Sequence, residues 1–404
     1  MKLKLSCKCI NWIIILLPLP IILLSQNFQH APQLLTLRSY SNSIKLEYPS
    51  LKIELPFNFT SQLITDFVQG FPNYLPEYIG NAKVANTFML AFNMIYYFKY
   101  TNVICRTDLS FYFNNTIYIP TIQCRPRFFN YSAGDHPLID LKYNIYDDVI
   151  CIGHQHSTDF GHWMVEIFPL FFYIPKDVLN RSIIAIPRIS QFVVDCLNLL
   201  GVKKSSIIYG DDLYFYAKNL HTVKAPYCDY ISYQGIINFR QKIVEYLSLD
   251  KIQPFRLVFF NRKKGMSRYL GNFDLLLETV SHKYSNASFE LGIFYDRITD
   301  QIKYFNEMKF LLAVHGALMA NLIFMQADTY VIEIQMEHVF FCFLRVAVFT
   351  GKKIVVVRDR SISYRAIQDN LVNISIIMPA VESVMKNVYG SNTFKRVYIP
   401  LVDD

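Results

Sequence analysis

Lys309-Phe310-Leu311-Leu312-Ala313-Val314-His315-Gly316-Ala317-Leu318-Met319-Ala320-Asn321 is the stretch on which the architecture turns. A short apolar run delivers a histidine and a glycine into a tight turn, and small residues then open a helix. That is the pattern of a buried strand feeding a helix in a parallel α/β sheet. Outward from it the same rhythm repeats. Upstream stand strand Leu257–Phe260, helix Phe273–His282, strand Phe289–Leu291 and helix Thr299–Asn306. Downstream, a helix Ala317–Phe324 leads to strand Tyr330–Ile334, helix Val339–Phe349 and strand Lys353–Val357. An earlier set precedes these: strand Val149–Ile152, helix Gly161–Tyr173, strand Ser182–Ile186, helix Gln191–Leu200, strands Ser206–Tyr209 and Leu220–Lys224, and helix Gln234–Leu247. Two such sets, joined near Leu249–Pro254, predict an α/β protein of two Rossmann-like domains facing across a cleft. A ligand then belongs outside the carboxyl ends of the strands.

The first part of the chain reads differently. Lys2, Lys4 and Lys8 precede an apolar run from Ile10 to Leu24. Basic residues on one flank keep that flank cytoplasmic. The run is short for a spanning helix, which takes about 20 residues, and Pro18 and Pro20 interrupt it, so a cleaved signal peptide is the rival. The residues after it lack the small-residue cleavage signature, which favours an uncleaved anchor. The expected division is 1–9 cytoplasmic tail, 10–24 signal anchor, 25–50 stem, 51–250 N-terminal domain with its Rossmann-like part from about 147, 251–380 C-terminal domain and 381–404 terminal segment. Within 51–146, Leu51–Leu55 alternates like a strand, and Ile104 to Ile119 reads as two strands around Asn114-Asn115.

Asn-x-Ser/Thr acceptors begin at Asn58, Asn114, Asn130, Asn180, Asn286 and Asn373, all downstream of the apolar run. They agree with a secretory-pathway lumen. Cys105 and Cys124 are a candidate disulfide there; Cys151, Cys196 and Cys228 are expected as buried thiols. With charged residues at only 18% and no long biased tract, the 404-residue chain is globular, not disordered. The net charge of +8 suits an anionic ligand such as a nucleotide, or an anionic membrane face. No basic stripe interleaved with stacking aromatics is present, which excludes nucleic acid as partner. No P-loop or kinase motif set is present.

Three constellations carry chemistry. In Gly161-His162-Trp163-Met164-Val165-Glu166-Ile167-Phe168-Pro169, His162 and Glu166 are four apart and share a helix face. A carboxylate there can take a proton from a hydroxyl if its surroundings hold its pKa near the working pH. His154 and His156 just before it invite a metal reading. No third ligand stands at a persuasive spacing, so hydrogen-bonded loop histidines are the expectation. The second is Asn261-Arg262-Lys263-Lys264-Gly265-Met266-Ser267-Arg268 with Asn272, a basic loop after a strand and a natural phosphate site. The third is the opening stretch, where Gly316 lets a ligand approach the backbone and Glu333 ends the next strand.

This order of motifs resembles glycosyltransferase family 61, which includes plant β1,2-xylosyltransferases and O-linked N-acetylglucosaminyltransferases of the endoplasmic reticulum. The likeness runs over roughly 147 to 360. It implies a GT-B fold, a nucleotide-sugar donor (usually a UDP-sugar) and transfer with inversion to a glycan or glycoprotein hydroxyl. Carried over by position, Arg262, Arg268 and His315 contact the donor's phosphates or sugar. Gly316 and Ala317 shape the turn beneath the nucleotide, Asn321 follows them and Glu333 holds the ribose. Glu166 is the candidate base, with His162 beside it. No prosthetic group is implied and, with Asp147-Asp148 and Asp211-Asp212 as adjacent pairs rather than Asp-x-Asp, no metal is expected. The resemblance places the enzyme as a single-pass type II protein of the Golgi or endoplasmic reticulum. One departure stands at Leu318, where the family commonly has glycine; a leucine crowds the diphosphate or packs beneath the helix. A binding protein with a degenerate nucleotide site is the alternative.

Overall fold

The computed structural model describes residues 34–36, 59–66, 93–109, 111–113, 116–120, 144–154, 156–210, 213–225, 230–337, 340–365 and 370–389. The apolar run at 10–24, the strand expected at Leu51–Leu55, Cys124 and the acceptors Asn58, Asn114 and Asn130 lie outside them. No helix among the described residues is long and apolar enough to cross a membrane.

Two sheets organise the chain. The first holds β1 (Leu34–Thr36), β2 (Phe59–Asp66), β3 (Asn93–Arg106), β4 (Phe111–Phe113), β5 (Thr116–Pro120), β6 (Asn144–Cys151), β7 (Ile183–Ile186), β8 (Ile207–Tyr209) and β9 (Tyr214–Lys224). Their order is β1-β5-β4-β3-β9-β6-β7-β8, with β2 also on β3. β6, β7 and β8 are parallel and joined by helices, as the sequence rhythm requires. β4 and β5 pair with Phe113 opposite Thr116, the hairpin expected around residues 114–115. The described strands before β6 therefore form an antiparallel extension of the same sheet through β3 and β9. β9 is longer than the expected Leu220–Lys224, because Tyr214-Phe215-Tyr216-Ala217 supplies further strand formers.

The second sheet is β10 (Arg256–Phe260), β11 (Phe289–Leu291), β12 (Met308–Val314), β13 (Tyr330–Gln335) and β14 (Lys353–Arg358), all parallel, in the order β11-β10-β12-β13-β14. Successive residues of each strand go to opposite cores. Leu257 and Phe259 join one cluster with Phe310, Leu312 and Ile332; Val258 and Phe260 join another with Leu311, Ala313 and Val331. Burial on both faces is what makes parallel strands read as unbroken apolar runs. The second of those clusters also takes in Ile150, Ile184, Trp163 and Phe168 from the first sheet's side, so the two sheets share one continuous core. Helix Ile374–Tyr389, which the sequence pattern did not disclose because Pro379 sits inside it, packs on β13 and β14. A domain edge drawn at 380 falls within that helix.

The expected disulfide does not form among these residues. Cys105 is a buried free thiol whose Sγ donates to the Arg106 carbonyl at 3.1 Å, beside the buried thiol of Cys151. Asn180, Asn286 and Asn373 are exposed.

Candidate functional site

The order of the second sheet places its topological switch point between β10 and β12, whose connections leave in opposite directions. In doubly wound folds ligands bind outside the carboxyl ends of strands at this point. The loops leaving those two strands are the basic loop and the His315-Gly316 turn.

The basic loop is zipped by Asn261, whose Oδ1 accepts from the backbone N–H of Arg262 at 2.8 Å and of Leu270 at 3.1 Å. Its Nδ2 donates to the Leu270 carbonyl at 2.8 Å. Asn272 ties the loop's end to Val372 by two more bonds. The loop so held aims Arg262 at Gly316: a Cβ on Gly316 would lie 2.0 Å from the Arg262 Nη1. Arg268, with φ of 68°, lays its guanidinium on the Tyr364 ring 4.7 Å from the centroid. Neither guanidinium has an ion-pair partner among the described residues, and the Nε of each is buried without a hydrogen bond. Burial, reinforced by the neighbouring charge of Arg268, pulls Arg262 down to about 10. Burial likewise lowers Arg268. Two half-buried cations uncompensated by a carboxylate among the described residues have the charge and donors to receive an anion.

His315 and Glu333 take different places from those expected. Glu333 is fully buried and receives His315 Nδ1 at 2.6 Å. It therefore holds the imidazole and is not open to a ribose. The His315 ring is stacked on Phe340, 4.8 Å between centroids. Asn321 is also withdrawn: it is buried, and its Nδ2 donates to the Leu318 carbonyl at 2.9 Å. Leu318 itself packs against the shared core, so it lies beneath the helical turn instead of crowding a diphosphate.

On the first sheet's side, the helix expected over Gly161–Tyr173 is a composite. One α-turn at Phe160–His162 gives way to a π-helical turn, Trp163–Ile167, and a 3-10 segment, Phe168–Tyr173. Pro169 has no N–H to continue the α pattern, and π-turns of this kind recur at functional sites. Within the π-turn Glu166 points into the core, only 5% exposed. His162 Nδ1 meets its Oε1 at 2.6 Å, and His154 Nε2 lies 3.5 Å from its Oε2. Burial alone would raise the Glu166 carboxyl, but hydrogen bonds and charge from His154 and His162 outweigh it and hold the group at about 2. The condition for a basic Glu166 is therefore not met, whereas His162, with 31% of its side chain exposed, faces outward. His156 stacks on His162 with 4.3 Å between centroids, and its Nδ1 bonds Asp159 at 2.7 Å. Burial and His162 lower its pKa against the pull of Asp159. The fold does not complete the His154–His156 pair but divides it: His154, His162 and Glu166 form one grouping, and His156, Asp159 and His162 another.

The two halves meet where Gly161 touches Ala317. A Cβ on Gly161 would lie 3.3 Å from the Ala317 Cα and Cβ, tight enough that Ala317 would have to give by a few tenths of an ångström. Through this contact the segment bearing His162 packs against the 3-10 turn Ala317–Ile323, which directly follows His315 and Gly316. Ala317 accordingly serves the junction between the motifs. Tyr364 and Phe340 were not anticipated; they stand 96 and 25 residues from the Arg268 and His315 they pack on, with no local signal.

No curated protein matches the chain. A family model described as Glycosyltransferase 61 matches residues 160–332. That span opens on the segment carrying His162 and Glu166, includes Arg262, Arg268 and the His315-Gly316 turn, and closes one residue before Glu333. The match supports assigning the chain to the glycosyltransferase 61 family and reading it as a glycosyltransferase.

Proposed function

We propose that this glycosyltransferase is a GT-B-type inverting enzyme of the secretory pathway. It takes a nucleotide-sugar donor, a UDP-sugar foremost, and passes the sugar to a glycan or glycoprotein hydroxyl. The observation that carries the donor reading is the pair of uncompensated guanidiniums, Arg262 and Arg268, gathered at the switch point with Arg262 lying over Gly316. A diphosphate offers such a pair the bidentate acceptors and negative charge it lacks. The apolar run Ile10–Leu24 and the exposed acceptors Asn180, Asn286 and Asn373 support a luminal, membrane-anchored enzyme.

The site residues divide the work as follows. The acceptor hydroxyl gives its proton to the outer nitrogen of His162 as its oxygen bonds the anomeric carbon. The bond from that carbon to the diphosphate oxygen breaks on the opposite face, and the nucleoside diphosphate leaves with the electron pair. Glu166, on Nδ1, fixes the tautomer of His162 and balances the imidazolium that forms, a positioning role. Arg262 and Arg268 stabilise the departing charge, side-chain cations standing where other transferases use a divalent metal at the diphosphate. Glu333 holds His315 beside that charge.

The test is thermal stability of the full chain with UDP, GDP, CMP and UDP-sugars. UDP raises the melting temperature of wild type, and Arg262→Ala abolishes the rise, a loss of about 1.5–3 kcal/mol of binding. A folded protein indifferent to every nucleotide overturns the reading.

A further inference from the structure

His156, Asp159 and His162 form a grouping on the outer side of Glu166. One donor atom from each lies within 4.8 Å of the others. The two imidazoles stack with planes 15° from parallel, so their edges emerge side by side. Each is held through Nδ1 by a carboxylate, His156 by Asp159 at 2.7 Å and His162 by Glu166 at 2.6 Å. A carboxylate on Nδ1 fixes the tautomer that turns Nε2 outward as a lone-pair donor, the way metal-binding imidazoles are oriented. His154 is set apart from the ligands. Its Nδ1 accepts the backbone N–H of His156 at 3.2 Å, so in the neutral ring the proton stands on Nε2, facing Glu166. Its part is to hold Glu166 from the other side.

We propose that His156 and His162, with Asp159 as the carboxylate, bind a divalent transition-metal ion of the zinc class, a property beyond sugar transfer. Two imidazoles and a carboxylate suit zinc, copper or nickel; magnesium and calcium take oxygen ligands throughout. Tetrahedral zinc with bonds of about 2.05 Å sets its ligand atoms roughly 3.3 Å apart. The donors must therefore close in by up to about 1.5 Å from their present spacing, and Asp159 must swing from the His156 Nδ1 onto the ion, because a carboxylate on Nδ1 lies across the ring from an ion at Nε2. Side chains that are 30%, 57% and 31% exposed for His156, Asp159 and His162 have the freedom to do so. An ion held this way engages His162, and transfer is inhibited while it is bound.

The experiment is calorimetric titration of zinc chloride into the full chain without nucleotide or sugar, alongside His156→Ala, Asp159→Asn and a magnesium control. Wild type takes up one ion per chain, reversed by chelator, and each variant binds at least about 10-fold more weakly. Magnesium gives no binding. No saturable uptake up to roughly 100 μM, a weak-affinity range, overturns the proposal, as does binding unchanged in both variants. Melting temperatures check each fold; should His156→Ala fail to fold, Asp159→Asn, a change at an exposed carboxylate, carries the comparison. The readout is binding alone. Zinc uptake without transferase activity would therefore overturn only the transfer reading, and activity without zinc uptake only this one.

Discussion

Gly316→Ala isolates the anion site from the fold that carries it. Gly316 has φ of 165°, extended backbone that any residue adopts, so the substitution brings no backbone strain. What it brings is a methyl 2.0 Å from the Arg262 Nη1 and 3.2 Å from its Cζ. Heavy atoms in contact need about 3.5 Å, so the guanidinium must retreat by about 1.5 Å. A charge-assisted bond of about 2.8 Å does not survive that displacement. The atom met is the far end of a flexible side chain that has no ion-pair partner to lose among the described residues, so stability should change by no more than about 1 kcal/mol. Binding of a diphosphate should lose one charged hydrogen-bonding partner, about 1.5–3 kcal/mol, or roughly 10- to 150-fold in Kd.

Calorimetric titration of UDP at fixed ionic strength measures the loss, and the melting temperature of the unliganded variant checks the fold. A double-mutant cycle sharpens the test. If Ala at 316 acts by displacing Arg262, then Arg262→Ala with Gly316→Ala should bind UDP no worse than Arg262→Ala alone, a strongly non-additive pair. UDP affinity within threefold of wild type, or losses that simply add, would refute the assignment of Arg262 to the phosphates.

Two further predictions rest on buried ionisable groups. The Glu166 carboxyl, held at about 2 in the fold against an ordinary 4.5, contributes stability that is fully present above pH 4.5 and is lost as pH falls through about 2. Its share is on the order of 3 kcal/mol. Glu166→Gln should therefore flatten the acid limb of a stability profile in that window and, at neutral pH, cut kcat while leaving UDP affinity intact; an unaltered acid limb refutes the first part and an unaltered kcat the second. Lys352 is buried, donates to the Thr350 carbonyl at 2.8 Å, and is pushed well below its ordinary 10.5 by burial and by the charge of Arg240. A lysine lowered in the fold makes the protein more stable as pH rises toward 10.5, because the unfolded chain binds the extra proton. Lys352→Met should raise the melting temperature at neutral pH, by about 1–4 kcal/mol in stability, with the gain shrinking as pH approaches 10.5; a lower melting temperature at neutral pH counts against it.

The contrast between what the sequence discloses and what it hides follows from where each signal is stored. β10, β12 and β13 are legible because a strand buried on both faces must be apolar at nearly every position, and that demand is local. The basic loop and the His315-Gly316 turn are legible for the same reason, since each begins where such a strand stops. The assignment of roles inside the site is stored elsewhere. His162 and Glu166 look interchangeable at a spacing of four, and what separates them is the winding imposed by Pro169 together with the imidazole of His154, twelve residues back in the chain. Those put Glu166 at 5% exposure and its partner at 31%. In the sequence Glu333 reads as a strand-end carboxylate open to a ribose, whereas β13 runs on to Gln335. The true partner of Glu333, His315, is 18 residues away in the turn that leaves the neighbouring strand, and only the sheet register, with Glu333 beside Ala313, turns it inward. The site therefore uses one device twice. In each half a buried glutamate holds a histidine by Nδ1 at 2.6 Å. A buried carboxylate is tolerable only when so paired, and an imidazole so paired has one fixed tautomer. Periodicity can reveal that a histidine and a glutamate share an element or a sheet; which of them faces the substrate is decided by the packing around the pair.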